Sequence, residues 1–162
     1  MIEVKKISNV FSPENLETAK NLVKKFLEER EGNYELGFFR YGIHNPEFFR
    51  AFHQKEFLEL AKGLWGDVKP SYCYLSMYQN EKSTCPLHTD RPPCKYSIDL
   101  CISQGEPWEI FVNDIPYLLE ENEALVYSGT DHPHYRNQIK KGNYCNLVFF
   151  HFVPSDFVGQ LN

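Results

Sequence analysis

The run Leu87-His88-Thr89-Asp90-Arg91-Pro92 sets an imidazole two residues before a carboxylate. On an extended strand, side chains two apart project to one face, so His88 and Asp90 would offer a nitrogen and an oxygen side by side. These are two of the three donors of the 2-His-1-carboxylate arrangement, which grips one face of an octahedral metal and leaves three positions open. Alone the pair carries little weight, because six histidines in 162 residues give about 0.2 His-x-Asp pairs by chance. A turn histidine beside a capping aspartate would look the same.

Weight comes from downstream, where Ser128-Gly129-Thr130-Asp131-His132-Pro133-His134-Tyr135-Arg136 supplies two further histidines. Pro133 breaks the segment and a strand-like pattern begins after it. That favours His134 as the third donor and leaves His132 as a loop or supporting residue. A jelly roll sets the start of its second strand beside the start of its seventh, which would bring His134 to His88 and Asp90.

These donors need elements to hold them. Ser12 is a good N-cap, Pro13 suits the first helical position and Glu14 the first turn. Leu16, Ala19, Leu22, Val23, Phe26 and Leu27 then share a face at helical spacing, with Gly32 as a stop. A second helical region opens at Asn45-Pro46, carries Phe48, Phe49, Phe52, Phe57, Leu58 and Leu60, and ends near Gly63 or Gly66. Its His53 reads as a surface side chain among polar neighbours. After Lys69-Pro70 the period becomes two: Tyr72, Tyr74, Ser76 and Tyr78 point one way, Cys73, Leu75 and Met77 the other. Further strands are expected over 96–102, 108–112, 115–118, 124–127, 134–139 and 144–153, with Asn113-Asp114 as a tight turn. The expectation is an α+β chain in which residues 1–162 form a single domain. Residues 1–69 make a mainly helical cover and 70–155 a β core of antiparallel sandwich or jelly-roll type, a double-stranded β-helix.

Composition excludes several alternatives. A net charge of −5 argues against a phosphate backbone as the main partner, so nucleic acid is not expected. No apolar run approaches the ~20 residues of a membrane span, and Met1-Ile2-Glu3-Val4-Lys5-Lys6 lacks a signal-peptide core. A soluble, cytoplasmic protein is the expectation. The five cysteines contain no C-x-x-C pair and read as reduced, small apolar side chains. There is no G-x-G-x-x-G, no Walker loop and no G-x-S-x-G elbow. Aromatic residues reach 15%, which suits strands and pocket walls.

From about Tyr72 to Val153 the chain resembles the core of the iron(II)/2-oxoglutarate-dependent oxygenases, particularly their prolyl-hydroxylase-like group. The resemblance rests on Tyr78, then His88-Thr89-Asp90-Arg91, Cys94-Lys95-Tyr96-Ser97, Trp108-Glu109-Ile110-Phe111-Val112, Tyr127-Ser128-Gly129, His134-Tyr135-Arg136 and Val148-Phe149-Phe150-His151-Phe152. It covers about half the chain, in order and at compact spacing. It implies that His88, Asp90 and His134 bind iron(II), that Tyr78 hydrogen-bonds 2-oxoglutarate, and that O2 is the other co-substrate of a hydroxylase. Asp90 argues against a halogenase, in which that carboxylate is replaced.

The chain departs from the family at one point. An arginine or lysine usually follows the distal histidine by nine to eleven residues and holds the far carboxylate of 2-oxoglutarate; here Asn143, Tyr144 and Cys145 stand there. Arg136, two residues after His134, would face the same cavity and can grip a carboxylate bidentately. Lys140 and Lys141 read as solvated charges, Arg91 as a loop brace and His151 as a satisfied structural histidine. Tyr72, Tyr74 and Tyr78 suit either core packing or a pocket wall. Two rivals remain at this level: a cupin-like metalloenzyme that does not use 2-oxoglutarate, and a metal-free jelly-roll module that binds a ligand in its aromatic cavity. A peptide side chain, an amino acid or a small metabolite would suit the pocket, and the sequence gives no reading of oligomeric state.

Overall fold

Alternation along one strand organises the molecule, whose computed structural model describes residues 2–162. The strands are β1 (Lys5–Ile7), β2 (Asn33–Glu35), β3 (Arg40–His44), β4 (Val68–Tyr78), β5 (Cys85–His88), β6 (Tyr96–Gln104), β7 (Ile110–Val112), β8 (Ile115–Tyr117), β9 (Ala124–Tyr127), β10 (His134–Arg136) and β11 (Cys145–Pro154). Seven form an antiparallel major sheet in the order β1-β9-β6-β11-β4-β3-β2, and four a minor sheet in the order β5-β10-β7-β8. The two sheets face each other as a double-stranded β-helix.

Three helices cover the outer face of the major sheet: α1 (Pro13–Glu29), α2 (Glu47–His53) and α3 (Glu56–Trp65). Ser12 caps α1 through its hydroxyl, which accepts from the Asn15 amide at 3.2 Å. Removing such a cap costs ~1 kcal/mol. Ala19, Val23, Phe49, Phe57 and Ala61 on the helices meet Cys73, Leu75, Met77, Ile98, Leu100, Ile102, Val148, Phe150 and Phe152 on the strands. The intervening residues of the same strands point between the sheets. There Tyr78, Cys101, Leu125, Tyr127, Cys145 and Leu147 pack with Trp108, Ile110 and Val112.

The expected α+β jelly roll is present, with four corrections. The second helical region is two helices, because Lys55 adopts φ −128° and ψ −84° and breaks the ladder. The segment before residue 68 also contributes strands β1, β2 and β3 to the major sheet, which short stretches without an apolar period did not announce. The strand from His134 ends at Arg136 rather than Ile139, after a register irregularity against β5. His53 is buried, not a surface residue. It falls four residues after Phe49, on the apolar face of α2, so helical phase outweighs its polar neighbours. The Asn113-Asp114 turn is present, with φ of 54° and 62°, the left-handed pair of a type I′ hairpin. All five cysteines are free and buried.

Candidate metal centre

Strands β5 and β10 lie antiparallel, with His134 opposite His88. Asp90 lies just beyond β5 rather than on an extended strand, and its amide donates to the Gly129 carbonyl at 2.8 Å. Gly129 lies so close to the Asp90 carboxylate that a Cβ at that position would overlap it. A glycine there lets the loop before β10 close onto Asp90.

Three donor atoms converge. His88 Nε2 lies 3.1 Å from Asp90 Oδ1 and His134 Nε2 lies 3.3 Å from the same oxygen. Each histidine has its other nitrogen engaged: His88 Nδ1 donates to the Pro86 carbonyl at 2.6 Å, and His134 Nδ1 to the His132 carbonyl at 2.8 Å. A proton held at Nδ1 leaves the Nε2 lone pair facing the carboxylate, the tautomer a metal requires. The hydrogen bond to Asp90 pushes His88 up to about 10. Burial pushes the Asp90 carboxyl up, but hydrogen bonds to His134 and His88 outweigh it and hold the group below the usual carboxylate range. Among the described residues, His88, Asp90 and His134 are the group of histidine, cysteine and acidic side chains that could hold a metal ion. His132 is outside it; its Nδ1 accepts from the Ser128 amide at 3.1 Å.

The three donors line a cavity of about 330 Å3, at the lower end of the range for small-molecule sites. Tyr72, Tyr74 and Tyr78 line it from β4, and Phe149 and His151 from β11. Their hydroxyls are also engaged: Tyr72 with Cys94 Sγ and Arg91, Tyr74 with Glu35, Tyr78 with Arg40. The tyrosine face is therefore both packed and pocket-lining. Burial pushes the Tyr78 phenol up, with Arg40 and Arg136 pulling the other way.

Arg136 shares the cavity with His134. Its Nη1 donates to the Trp108 carbonyl at 2.6 Å and its guanidinium stacks 4.9 Å from the Trp108 ring centroid. Its charge also reaches Tyr78 and Cys145. Lys140 is exposed, paired with Glu106 at 3.4 Å, and neither Lys140 nor Lys141 lines the cavity. Arg91 braces Tyr72 and the Asn162 carbonyl. His151 is not the satisfied histidine expected from the sequence: its Nδ1 is buried without a partner, and burial lowers it to about 4.

Sequence reasoning missed two groups. Arg40 and Glu35 reach the cavity from β3 and β2, strands too short to show a period. Behind His134, Tyr127 donates to Asp99 Oδ2 at 2.7 Å and Ser97 donates to Oδ1. Burial raises the Asp99 carboxyl to about 6. Ser97 and Asp99 share the cavity-facing parity of β6, a signal the sequence does contain.

No family model matches the chain, and no curated protein matches its sequence. Solved structures do. The non-heme α-ketoglutarate-dependent epimerase of nogalamycin biosynthesis superposes with a TM-score of 0.75 at 9% identity, over 94% of this chain and 78% of that one. HygX of Streptomyces hygroscopicus, crystallised with nickel and 2-oxoglutarate, gives 0.74 at 10% identity, over 96% and 84%. A Pseudomonas putida prolyl-4-hydroxylase gives 0.71 at 12% identity, over 91% of each chain. The chain has the double-stranded β-helix fold of the iron(II)/2-oxoglutarate-dependent oxygenases, the prolyl hydroxylases among them.

Proposed function

We propose that the chain is an iron(II)- and 2-oxoglutarate-dependent dioxygenase that hydroxylates a small molecule, an amino acid or a peptide side chain. The observation that carries this reading is the convergence of two Nε2 lone pairs on one Asp90 oxygen, with both Nδ1 atoms tied to backbone carbonyls. Three protein donors on one side of a metal leave the open positions that this chemistry needs. When bound, iron(II) would supply the positions for 2-oxoglutarate and O2 and the oxidising power that couples decarboxylation to attack on a C–H bond. The fold is shared with HygX, which has been crystallised with nickel and 2-oxoglutarate, with iron, and with nickel, 2-oxoglutarate and hygromycin B.

The remaining residues divide the work. Tyr78 donates its phenolic proton to the far carboxylate of 2-oxoglutarate, and Arg136 supplies the opposing charge. Cys145, the position eleven residues after His134, is buried facing the same interior, and the Arg136 charge reaches it. An arginine on β10 thus stands in for the cation that the resembled family usually carries nine to eleven residues after its distal histidine. No described helix is long and apolar enough to cross a membrane.

Succinate production from 2-oxoglutarate with iron(II) and O2 tests the proposal. The wild-type protein should form succinate, and His88→Ala should not. Wild-type-like succinate formation by His88→Ala would sink the assignment. Metal-dependent turnover that ignores 2-oxoglutarate would favour the cupin-like reading instead.

A further inference from the structure

The hairpin of β2 and β3 lies at the edge of the major sheet, yet it sends a half-buried cation to the wall of the cavity. Arg40 donates from Nη1 to the Tyr78 hydroxyl at 2.8 Å and from Nε to Glu35 Oε1 at 2.9 Å. The same Glu35 oxygen accepts from the Tyr74 hydroxyl. Tyr74 reaches that far because its ring lies over Gly42, where a Cβ would collide with it. The guanidinium is sandwiched by aromatic rings, 4.1 Å from the Phe38 centroid and 5.4 Å from that of Tyr74. Phe38, from the loop of the hairpin, in turn packs edge-on to the metal-site residue His88 at 6.1 Å.

The direction of the Arg40–Tyr78 bond matters. A guanidinium can only donate, so the Tyr78 oxygen accepts and its own proton must go elsewhere. Ser76, whose buried hydroxyl has no other partner among the described residues, is the one side chain of the protein left to take that proton, so the proton is shared between Ser76 and a ligand. Arg40 therefore leaves Tyr78 with its own proton to donate and polarises that O–H bond. Glu35 fixes Arg40 by taking Nε, and Tyr74 fixes Glu35.

We infer that Arg40 is a positioning residue for 2-oxoglutarate, acting through Tyr78 in a Tyr74–Glu35–Arg40–Tyr78 relay that ties the β2–β3 hairpin to the co-substrate. The inference rests on the proposed function, since it takes 2-oxoglutarate to be what Tyr78 binds. Arg136 holds its partner with a direct charge, whereas Arg40 already has Glu35 as counter-ion and contributes orientation.

The test is a cycle of variants read as the 2-oxoglutarate Kd of the iron(II)-loaded protein under anaerobic conditions, followed by the visible band that both components produce. Arg40→Gln and Tyr78→Phe should each weaken 2-oxoglutarate about tenfold, the loss of one charge-assisted hydrogen bond of ~1.4 kcal/mol. The double variant should bind no more weakly than Tyr78→Phe alone, and Arg40→Lys should recover part of the loss. Glu35→Gln, a substitution at a partly exposed side chain, should weaken binding a few-fold, and only when Tyr78 is present. Iron(II) affinity, which a collapsed hairpin would disturb through Phe38, should stay within twofold throughout. Multiplying losses in the Arg40→Gln/Tyr78→Phe double variant would overturn the relay and make Arg40 a direct contact. Wild-type protein that forms no band with 2-oxoglutarate would overturn the proposed function instead, whatever the variants do.

Discussion

The two faces of the major sheet use the same strands for opposite ends. Toward the helices, β4 sends Cys73, Leu75 and Met77, β6 sends Ile98, Leu100 and Ile102, and β11 sends Val148, Phe150 and Phe152. Toward the minor sheet they send Tyr72, Tyr74 and Tyr78, then Asp99, then Phe149 and His151, all lining the cavity. One face is a dry aromatic layer in which Phe150 meets Phe49 and Phe57 at centroid distances of 6.5 and 4.5 Å. The other is a lattice of hydroxyls, guanidiniums and carboxylates around three converging donors. Parity on the strand decides which side a residue serves: the helix-side core, or the space between the sheets, where the donors sit beside a second apolar cluster of Cys101, Leu125, Cys145 and Leu147.

That division predicts separable damage, greatest at the donors. Asp90→Asn removes the charge that a divalent metal needs and should cut iron-dependent succinate formation by at least about a thousandfold, since a metal's contribution is several kcal/mol. Its melting temperature without metal, measured by calorimetry, should also fall, because the same carboxylate is the partner of His88 and His134, but the variant should still fold. Phe150→Ala should spare the metal and lose stability. A buried phenylalanine truncated in a packed layer costs about 3–5 kcal/mol, a fall of roughly 10 °C at this chain length. Its metal affinity, measured below the transition, should remain within a few-fold of wild type. If Phe150→Ala instead abolished metal binding at low temperature, the two faces would not be independent.

His53 and His151 sharpen the comparison, because one lies on each face and they are joined: His53 Nε2 donates to the His151 carbonyl at 2.7 Å. Burial lowers both to about 4. The unfolded chain takes up protons near the ordinary histidine value of 6.5 while the folded state refuses them until about 4. Stability is therefore fully present above pH 6.5, is lost as pH falls toward 4, and loses no more from these groups below that. Each contributes up to roughly 3 kcal/mol. Urea unfolding between pH 7 and 4 should show this slope, and His53→Leu should remove about half of it. A slope unchanged in His53→Leu would place the titration elsewhere.

The smallest expected effect concerns the cation. Arg136→Gln should weaken 2-oxoglutarate by about 10–100-fold, as loss of a charge-assisted pair does, with iron(II) affinity preserved. Isothermal titration of the iron-loaded protein would measure it. Equal affinity in the variant would assign the far carboxylate to another cation.

The legible parts of the sequence were those with a strong local period or a distinctive donor. The alternation from Tyr72 to Tyr78 was readable because seven consecutive residues of β4 carry it. His88, Asp90 and His134, suggested by residue type and spacing, line one cavity with Tyr78 and Arg136, which the family resemblance brought forward. His53 was misread because local polarity outweighed helical phase. Arg40 and Glu35 were invisible because their strands span five and three residues, and because an Arg–Glu pair in sequence looks like any solvated pair. Only the pairing of β3 with β4, which sets Tyr41 opposite Met77 and Ile43 opposite Leu75, carries Arg40 inward. Long-range pairing is what a linear reading does not contain.

The central claim is that His88, Asp90 and His134 hold iron(II) with room for 2-oxoglutarate. Its most direct test is an anaerobic titration of the purified protein with iron(II) and then 2-oxoglutarate, followed in the visible spectrum. The account predicts a charge-transfer band that requires both components and is absent in His134→Ala. Iron(II) binding without a band, or a band that survives in His134→Ala, would contradict it.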